Sequence, residues 1–456
     1  MASTTLSVLS LNCWGLGVLS KRREERLHAI AHYLAATDYD IVGLQELWLF
    51  EDFDYLKSVT KDVFPYAKYF YRSVSMPSTN GSRSVLEIFA LFHSGVLGSG
   101  LAILARYPIT STSYHRFSLN GHPLEILRGD YYVGKGAASA CIQHPVGGIV
   151  EVFNTHLHAD YDVKTDKHHG HRLSQAWEIT KLVRASARQG RHVIALGDYN
   201  SAPTTLVYSL LTSYARLTDI WLETHPVSSI PTADLTPASS LLHLGITCDS
   251  PLNHWTNPRL PRGPLGDRLD YIFYFRTAHL RCRSALVVCT EPDLQLQCHL
   301  SDHFGVEARF EISPAPAAEP VPDPAAATSA ILDQVLVILG AHHAVARSKH
   351  RGLVYAFLIL TPLTLVFWIL TAVLASIEAT RPPAVPIIAV VGGLMTAACA
   401  AGAVIALVCG FVAGHEEDRT FREVVEEVER ARVRVETIAQ EEGEEEREIE
   451  SETRLL

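Results

Sequence analysis

The sequence lacks the excess of basic residues with which proteins bind nucleic acids. It contains 39 Lys and Arg against 49 Asp and Glu, which gives a formal net charge of -10. Residues 416–456 carry 16 acidic and 7 basic side chains, so the remainder of the chain is close to neutral. Because duplex binding normally requires a clustered Lys/Arg surface, the composition argues against a nuclease and against a nucleic-acid partner. A small or membrane-borne ligand fits this charge better.

Paired cysteines, a secretory leader and a nucleotide-binding loop are also missing. The eight cysteines include no CxxC pair and no compact disulfide framework, so we interpret them as reduced, buried thiols. Residues 1–11 contain no basic segment followed by a long apolar one, and we therefore expect the N-terminal domain in the cytosol. The motif GxxxxGK[ST] does not occur, which argues against nucleotide binding.

Two long uncharged segments lie near the C-terminus. Residues 352–377 and 382–414 each exceed the about 20 residues with which a helix crosses a bilayer. Buried core helices are the alternative, but helices of this length in soluble domains normally show a polar face. We predict two transmembrane helices, 352–377 and 384–413, joined in a tight hairpin. Basic residues such as Arg347 and Arg351 precede the first helix and place both flanks of the hairpin in the cytosol.

Composition divides the chain into domains. We expect residues 1–312 to form a catalytic domain, followed by a Pro/Ala linker and juxtamembrane segment at 313–351. Residues 414–456 place apolar side chains three and four apart within Glu/Arg-rich sequence, which predicts an acidic helical tail. This tail is either a short coiled coil or a solvated amphipathic helix. The hairpin and the tail are the candidate surfaces for a homo-oligomer.

Short apolar runs alternate with helical patterns in the first 312 residues. Apolar residues three and four apart predict helices over 22–36 and 173–187. Strands alternating with helices indicate the α/β class. The predicted strands include 6–11, 41–44, 101–104, 149–153, 192–196 and 271–274.

Polar residues follow three of these strands. Glu46 follows strand 41–44, and a carboxylate that emerges from a buried strand is a natural ligand for Mg²⁺. Asn12, after strand 6–11, offers an amide ligand from an adjacent strand or serves as a turn residue. Asp198 and Asn200 stand two residues apart after strand 192–196, where both can face one phosphate and its attacking water. Ordinary turn chemistry is the alternative for this pair.

Histidines and further carboxylates lie at other strand ends. His156 ends strand 149–153, Asp270 begins strand 271–274, and Asp302 with His303 precedes the last apolar run. A carboxylate that orients a histidine and raises its basicity is the arrangement that a general base requires. A capping Asp beside a structural His is the alternative. Together, the segments at successive strand ends indicate a metal-dependent phosphodiesterase.

Several motifs add a more specific indication. They are LNCWG (11–15), QELW (45–48), FHSGVLGSGLAILARYP (92–108), GDYYVGK (129–135), THLHADY (155–161) and HRLSQAWE (171–178). This set resembles the neutral sphingomyelinase family and the related inositol phosphosphingolipid phospholipase C, both in the DNase I-like endonuclease/exonuclease/phosphatase superfamily. The resemblance implies a four-layer α/β sandwich of two packed mixed sheets, followed by the two-helix transmembrane hairpin.

The same resemblance implies roles for the residues at the strand ends. Glu46 binds Mg²⁺ with help from Asn12, while Asp198 and Asn200 position the water and the phosphoryl oxygens. His303 is the general base.

Five further residues receive roles by resemblance. Asp270 and Asp302 are neighbours of the base, and His156 contacts the phosphate or helps to protonate the leaving group. Asp130 and Lys135 resemble a switch that pairs or approaches the site, and a plain surface ion pair is the alternative.

The implied activity is hydrolysis of a sphingolipid phosphodiester to ceramide and a phosphorylated head group. The substrate is sphingomyelin or inositolphosphoceramide, and the sequence does not distinguish the two. We expect an anionic phospholipid activator and a location in the endoplasmic reticulum or another intracellular membrane. An inositol polyphosphate phosphatase of the same fold would need a basic pocket that the sequence does not show. A membrane-anchored scaffold would not need intact acid, base and metal residues.

Overall fold

The computed structural model describes the chain except for residues 1–3, 18–19, 72–96, 126–127, 162–165, 226–231, 258–262, 315–327, 379–383 and 456. The strands are β1 (Thr4–Asn12), β2 (Ile41–Gln45), β3 (Tyr66–Phe70), β4 (Leu101–Ala105), β5 (Ile109–Arg116), β6 (Gly136–His144), β7 (Gly148–His156), β8 (His192–Asp198), β9 (Thr218–Asp219), β10 (Asp270–Tyr274), β11 (Leu280–Val288) and β12 (Gly305–Ile312). The α-helices are α1 (Arg23–Ala35), α2 (Phe50–Thr60), α3 (His169–Arg188), α4 (Leu206–Ser209), α5 (Ile220–Thr224), α6 (Pro237–Leu244), α7 (Thr328–Glu378), α8 (Ala384–Ala406) and α9 (His415–Leu455). Shorter helical elements are a 3₁₀ turn at Thr232–Asp234 and π-helical segments at Leu210–Tyr214 and Leu407–Gly414.

The strands form two mixed sheets in the part of the chain that the structure describes. The first sheet has the order β11-β12-β1-β2-β4-β3, and the second has the order β5-β6-β7-β8-β10-β9. Each sheet contains one parallel pair, β1 with β2 and β7 with β8. In these pairs Asn12 lies opposite Gln45 and His156 lies opposite Asp198. Within each sheet, the polar residues at the ends of these parallel strands therefore lie side by side.

Apolar side chains fill the space between the sheets and cover their outer faces. The inner faces contribute residues such as Val8, Ile103 and Ile194, all fully buried. On the outer face of the first sheet, α1 and α2 bury Leu34 and Phe53 against the strands. On the second sheet, α3 is buried along most of its length. These four layers confirm the predicted α/β sandwich.

A buried amide pair joins the two sheets near the edge where the polar strand ends meet. Asn154 on β7 donates from Nδ2 to the carbonyl oxygens of Leu44 and Ala102, each at 2.9 Å. Its Oδ1 accepts from Gln45 Nε2 on β2 at 2.8 Å. Asn154 and Gln45 are both fully buried, and the hydrogen bonds of the Asn154 amide offset the cost of removing it from water. The pair fixes β7 against β2 and β4.

The chain divides into two compact units. The first contains both sheets together with residues 328–335 and 428–456, and the second contains 336–427 together with 122–126. Within the second unit, His343 Nε2 lies 3.0 Å from Asp418 Oδ1, which places α7 against α9.

The C-terminal helices differ in part from the expected boundaries. Residues 328–351, expected as linker and juxtamembrane segment, are helical and continue into the first uncharged segment within α7. The Pro/Ala-rich stretch at 315–327 lies outside the described residues, and so do residues 379–383, where the turn of the hairpin is predicted. Within the described part of the chain, two helices are long and apolar enough to cross a membrane, judged by length and composition.

Candidate active site

Asn12 connects acidic residues of the two sheets. Its Nδ2 lies 3.2 Å from Glu46 Oε1, one residue beyond β2, and 3.1 Å from Asp198 Oδ2 at the end of β8. Its Oδ1 accepts from the Trp14 backbone N–H at 3.0 Å, and this bond fixes which side of the amide carries the nitrogen. The geometry explains how a residue from β1 holds two carboxylates close together. The predicted contact of Asn12 with a metal stays a prediction.

Two groups of side chains in the described part of the chain can hold a metal ion. One contains Glu46, His156 and Asp198, and the other contains Asp198, Asp270 and His303. In each group the ligand atoms lie within 4.8 Å of one another. His156 Nε2 lies 3.6 Å from Asp198 Oδ2 and 4.0 Å from Glu46 Oε1. Asp198 belongs to both groups and stands at the centre of the site.

The donor set fits a hard divalent cation. Glu46 Oε2 and Asp270 Oδ1 are buried atoms without a hydrogen-bond partner among the described residues. Buried carboxylate oxygens without a partner are unfavourable, and a cation that accepts oxygen ligands would satisfy them. Burial, together with the nearby charge of Asp270, raises the pKa of Asp198 to about 6. Burial also raises the pKa of Asp302 to about 7. A cation would relieve this crowding of acidic groups.

The predicted base and its partner lie in contact. His303 Nδ1 is 2.8 Å from Asp270 Oδ2, and both residues are buried. Burial alone would lower the pKa of His303, but the carboxylate of Asp270, together with smaller contributions from Cys248, outweighs burial and holds the pKa well above its usual value. Asp302 is in neither metal-binding group, and its carboxylate accepts from Ser301 Oγ at 3.3 Å. The arrangement orients the imidazole as the sequence predicts for a general base.

A contact that the sequence did not indicate lies on the other side of the base. His303 Nε2 is 3.4 Å from the thiol sulfur of Cys248. Cys248 belongs to no recognisable sequence motif, and from the sequence it is only one of eight cysteines expected to be reduced. No signal in the sequence places it beside residue 303, because the contact depends on the approach of two segments 55 positions apart.

Backbone geometry and two hydrogen bonds fix the conformation of the loop that follows β8. The Asn200 N–H donates to Asp198 Oδ1 at 2.9 Å, and Asn200 Nδ2 donates to the Leu157 carbonyl at 3.0 Å. Asn200 adopts a φ of 45°, which few residue types tolerate as well as Asn. Gly197 has a φ of 138°, and a Cβ there would lie 2.0 Å from the Thr155 carbonyl oxygen. The strand end therefore requires glycine before Asp198.

Asp130 and Lys135 form a buried pair beside this site. Lys135 Nζ lies 2.6 Å from Asp130 Oδ1, and each side chain is 3% exposed, so the pair is not a surface ion pair. Lys135 also lies 3.2 Å from His156 Nε2. Burial alone would raise the pKa of Asp130, but the neighbouring His158 and Lys135 together hold it below its usual value. The predicted pair forms, and its role as a switch stays a prediction.

The two histidines at the end of β7 have different surroundings. His156 lies among Glu46, Asp198 and Lys135. His158 Nδ1 instead lies 2.8 Å from the Ala159 carbonyl, and its ring stacks on His168 at 4.1 Å. Burial lowers the pKa of both histidines well below the usual value. His156 therefore belongs to one of the two metal-binding groups, whereas His158 contacts the neighbouring loop.

Comparison with known proteins gives consistent results. The model of the Endonuclease/Exonuclease/phosphatase family matches residues 9–303. An inositol phosphosphingolipids phospholipase C of Schizosaccharomyces pombe is 38% identical over 366 residues, which cover 78% of this chain and 80% of that protein. Sphingomyelin phosphodiesterase 2 of Homo sapiens is 28% identical over 317 residues, covering 69% of this chain and 66% of that protein. A structure of beta toxin from Staphylococcus aureus with bound magnesium ions has 21% identity and a TM-score of 0.46, covering 67% of this chain and 99% of that chain.

Proposed function

Because the chain belongs to the neutral sphingomyelinase and inositol phosphosphingolipid phospholipase C family of endonuclease/exonuclease/phosphatase proteins, we propose that it hydrolyses the phosphodiester of a membrane sphingolipid. The products would be ceramide and a phosphorylated head group. The observation that carries the proposal is the convergence of Glu46 and Asp198 from separate sheets, with the Asp270–His303 pair beside them. A phosphodiesterase needs these parts in one place: ligands for a cation and an oriented base.

The residues present would hold Mg²⁺ through Glu46 and Asp198, with the remaining lone pair of Asn12 Oδ1. When bound, this ion supplies electrostatic stabilisation of the negative charge that develops on the phosphoryl and leaving oxygens. Asp270 would hold the imidazole of His303 so that Nε2 takes the proton of the attacking water. Asn200 would position the water or a phosphoryl oxygen, since its backbone N–H donates to Asp198 and so holds the residue beside the site.

His156 would contact the phosphate rather than donate a proton. Burial and the nearby Lys135 charge lower the pKa of His156, so the imidazole is neutral at pH 7 and is a poor acid. The pair of Asp130 with Lys135 would hold the lysine beside this histidine. We propose that breaking the pair, and so releasing the Lys135 charge toward the phosphate, changes the activity.

The two apolar helices would anchor the catalytic domain to the membrane that contains its substrate. The most apolar stretch of the first helix is wholly unburied in the folded chain, and an exposed apolar surface of that length suits lipid better than water. We propose a cytosolic catalytic domain and tail, in the endoplasmic reticulum or another intracellular membrane. An anionic phospholipid activator and a homo-oligomer formed through the hairpin or tail stay predictions. Full-length protein that alkaline carbonate releases from membranes would contradict the anchor.

The test is an assay of the full-length protein reconstituted in vesicles at neutral pH with Mg²⁺. Sphingomyelin and inositolphosphoceramide are offered in parallel, and ceramide is measured. We expect ceramide from at least one lipid, with the Asp198→Asn variant inactive as the control for contaminating hydrolases. Absence of ceramide from both lipids would refute the proposal. Release of inorganic phosphate from an inositol polyphosphate would instead favour the phosphatase alternative.

A further inference from the structure

The general base of the proposed reaction has a second neighbour whose role is not explained by the residues described so far. The Cys248 sulfur lies 3.4 Å from His303 Nε2, the nitrogen that faces away from Asp270. This distance is within the range of hydrogen bonds to sulfur, which are weaker and longer than those to oxygen. The imidazole is therefore contacted at both nitrogens, by a carboxylate on one side and by a thiol on the other.

Cys248 is held in place by its backbone rather than by chance packing. Cys248 and Asp267 exchange two backbone hydrogen bonds, each of 2.9 Å, and Cys248 also forms a bridge with His303. Gly266 has a φ of 89°, and a Cβ there would lie 2.5 Å from the Cys248 carbonyl oxygen. The close approach of the two segments thus depends on that glycine.

Thr247 ties the same segment to the strand that carries the orienting carboxylate. Its Oγ1 accepts from the backbone N–H groups of Leu269 and Asp270, at 3.1 and 3.2 Å. The Phe304 N–H donates to the Thr247 carbonyl at 2.7 Å. The thiol, the base and the orienting carboxylate are therefore fixed relative to one another by main-chain contacts.

We propose that Cys248 is a positioning residue that holds the His303 imidazole at Nε2 while the base gains and loses a proton. A thiol is both a weak donor and a weak acceptor. It can donate S–H to the neutral imidazole and accept N–H from the imidazolium, whereas a carboxylate can only accept. Desolvation raises the pKa of the Cys248 thiol to about 12, so the S–H donor is present at neutral pH.

The weakness of the contact suits a group beside a reacting nitrogen. The attacking water of the proposed mechanism also has to reach Nε2, so this nitrogen must serve both the thiol and the water. A strong donor at this position would compete with the water, whereas S–H is a weak donor and competes little with it. The thiol therefore fixes the ring in the resting site without blocking proton transfer.

This inference rests on the proposed function, and its test separates the two. The full-length enzyme with Mg²⁺ is assayed on mixed micelles at a fixed fraction of the lipid that it hydrolyses. Cys248→Ala removes both hydrogen-bonding abilities, and Cys248→Ser retains both. The matched control is Cys282→Ala, which removes a thiol on β11, away from the site; Cys282 is buried and Cys248 is half-buried.

We expect Cys248→Ala to lower kcat about 3- to 10-fold with KM within about twofold, as for the loss of one weak hydrogen bond to the base. Cys248→Ser should recover at least half of this loss, and Cys282→Ala should match the wild type. If Cys248 only filled space, Cys248→Ser should have a kcat no higher than that of Cys248→Ala. Equal kcat for Cys248→Ala and the wild type, or no recovery by Ser, overturns the inference. A wild type inactive on both lipids overturns the proposed function instead.

Discussion

Replacement of Asp270 by Asn tests the arrangement around the proposed base, His303. Asn has the same shape, so the packing around a side chain that is 1% exposed is kept. The change removes the negative charge that lies 2.8 Å from His303 Nδ1. A hydrogen bond to a charged group contributes about 1.5–3 kcal/mol, and about 1.4 kcal/mol corresponds to a tenfold change in rate. We therefore expect kcat to fall by about 10- to 150-fold, with little change in KM.

The pH profile gives the same substitution a second readout. The Asp270 carboxylate raises the pKa of His303, so its removal lowers that pKa. A base acts when it is unprotonated, and the acid limb of the kcat profile should therefore move to lower pH in Asp270→Asn. The assay is hydrolysis of the reconstituted enzyme from pH 5 to 9 with saturating Mg²⁺.

A control and a refuting outcome complete this test. Asp40 is also buried, and its carboxylate accepts from the Ser7 backbone N–H at 2.8 Å at the opposite end of β2 from Glu46. Asp40→Asn should leave both kcat and the acid limb unchanged. If Asp270→Asn retains kcat within about twofold of the wild type, or if its acid limb moves to higher pH, Asp270 does not orient and charge the base.

Three further predictions concern the metal and the strand end. Chelation of divalent cations should abolish hydrolysis and added Mg²⁺ should restore it. Glu46→Gln should raise the half-saturating Mg²⁺ concentration at least about tenfold. Full activity in the presence of chelator would contradict the metal requirement. The raised pKa of Asp198, about 6, means that protons compete with the cation below that pH. Calorimetry should therefore show weaker Mg²⁺ binding and more proton release as pH falls from 7 to 5, and a flat pH dependence would disprove the assignment. Gly197→Ala should lower the free energy of unfolding in urea by more than about 2 kcal/mol, because of the positive φ and the clash with the Thr155 carbonyl. The control is Gly148→Ala, at a φ of 80° with no atom within 4 Å of the added Cβ, which should lower the free energy of unfolding by only about 1 kcal/mol. Equal losses of unfolding free energy in the two variants would show that the clash with Thr155 contributes nothing.

The fold could be predicted from the sequence because its signals are local. The apolar run at 41–44 became β2 (Ile41–Gln45), and the residues after it took the position expected for a strand end. Helix boundaries were less accurate. The helix predicted at 173–187 is α3 (His169–Arg188). The prediction missed the first four residues because His168 is not a capping residue type and forms no side-chain cap that would mark the start.

Contacts within the site depend on tertiary structure and were harder to predict from the sequence. The sequence placed Asn12, Asp198 and Asp270 at strand ends, but it could not show that the Asn12 amide lies between two carboxylates from different sheets. Nor could it distinguish His156 from His158, because residues two apart on a strand point the same way. Their roles diverge only where β7 has ended, since the loop turns His158 toward His168. The contact of Cys248 with the base has the same origin.

Synthesis of this chain on the ribosome can complete the sandwich only late. β12 lies between β1 and β11, so the first sheet stays open until residue 312 has emerged. His303 immediately precedes this strand and joins the other site residues at the same stage. The first uncharged segment follows at residue 352, so the catalytic domain would close shortly before the proposed insertion of that segment into a membrane. A chain that ends before β12 would leave β1 with an unpaired edge, and such a fragment should aggregate rather than persist as a soluble, inactive domain.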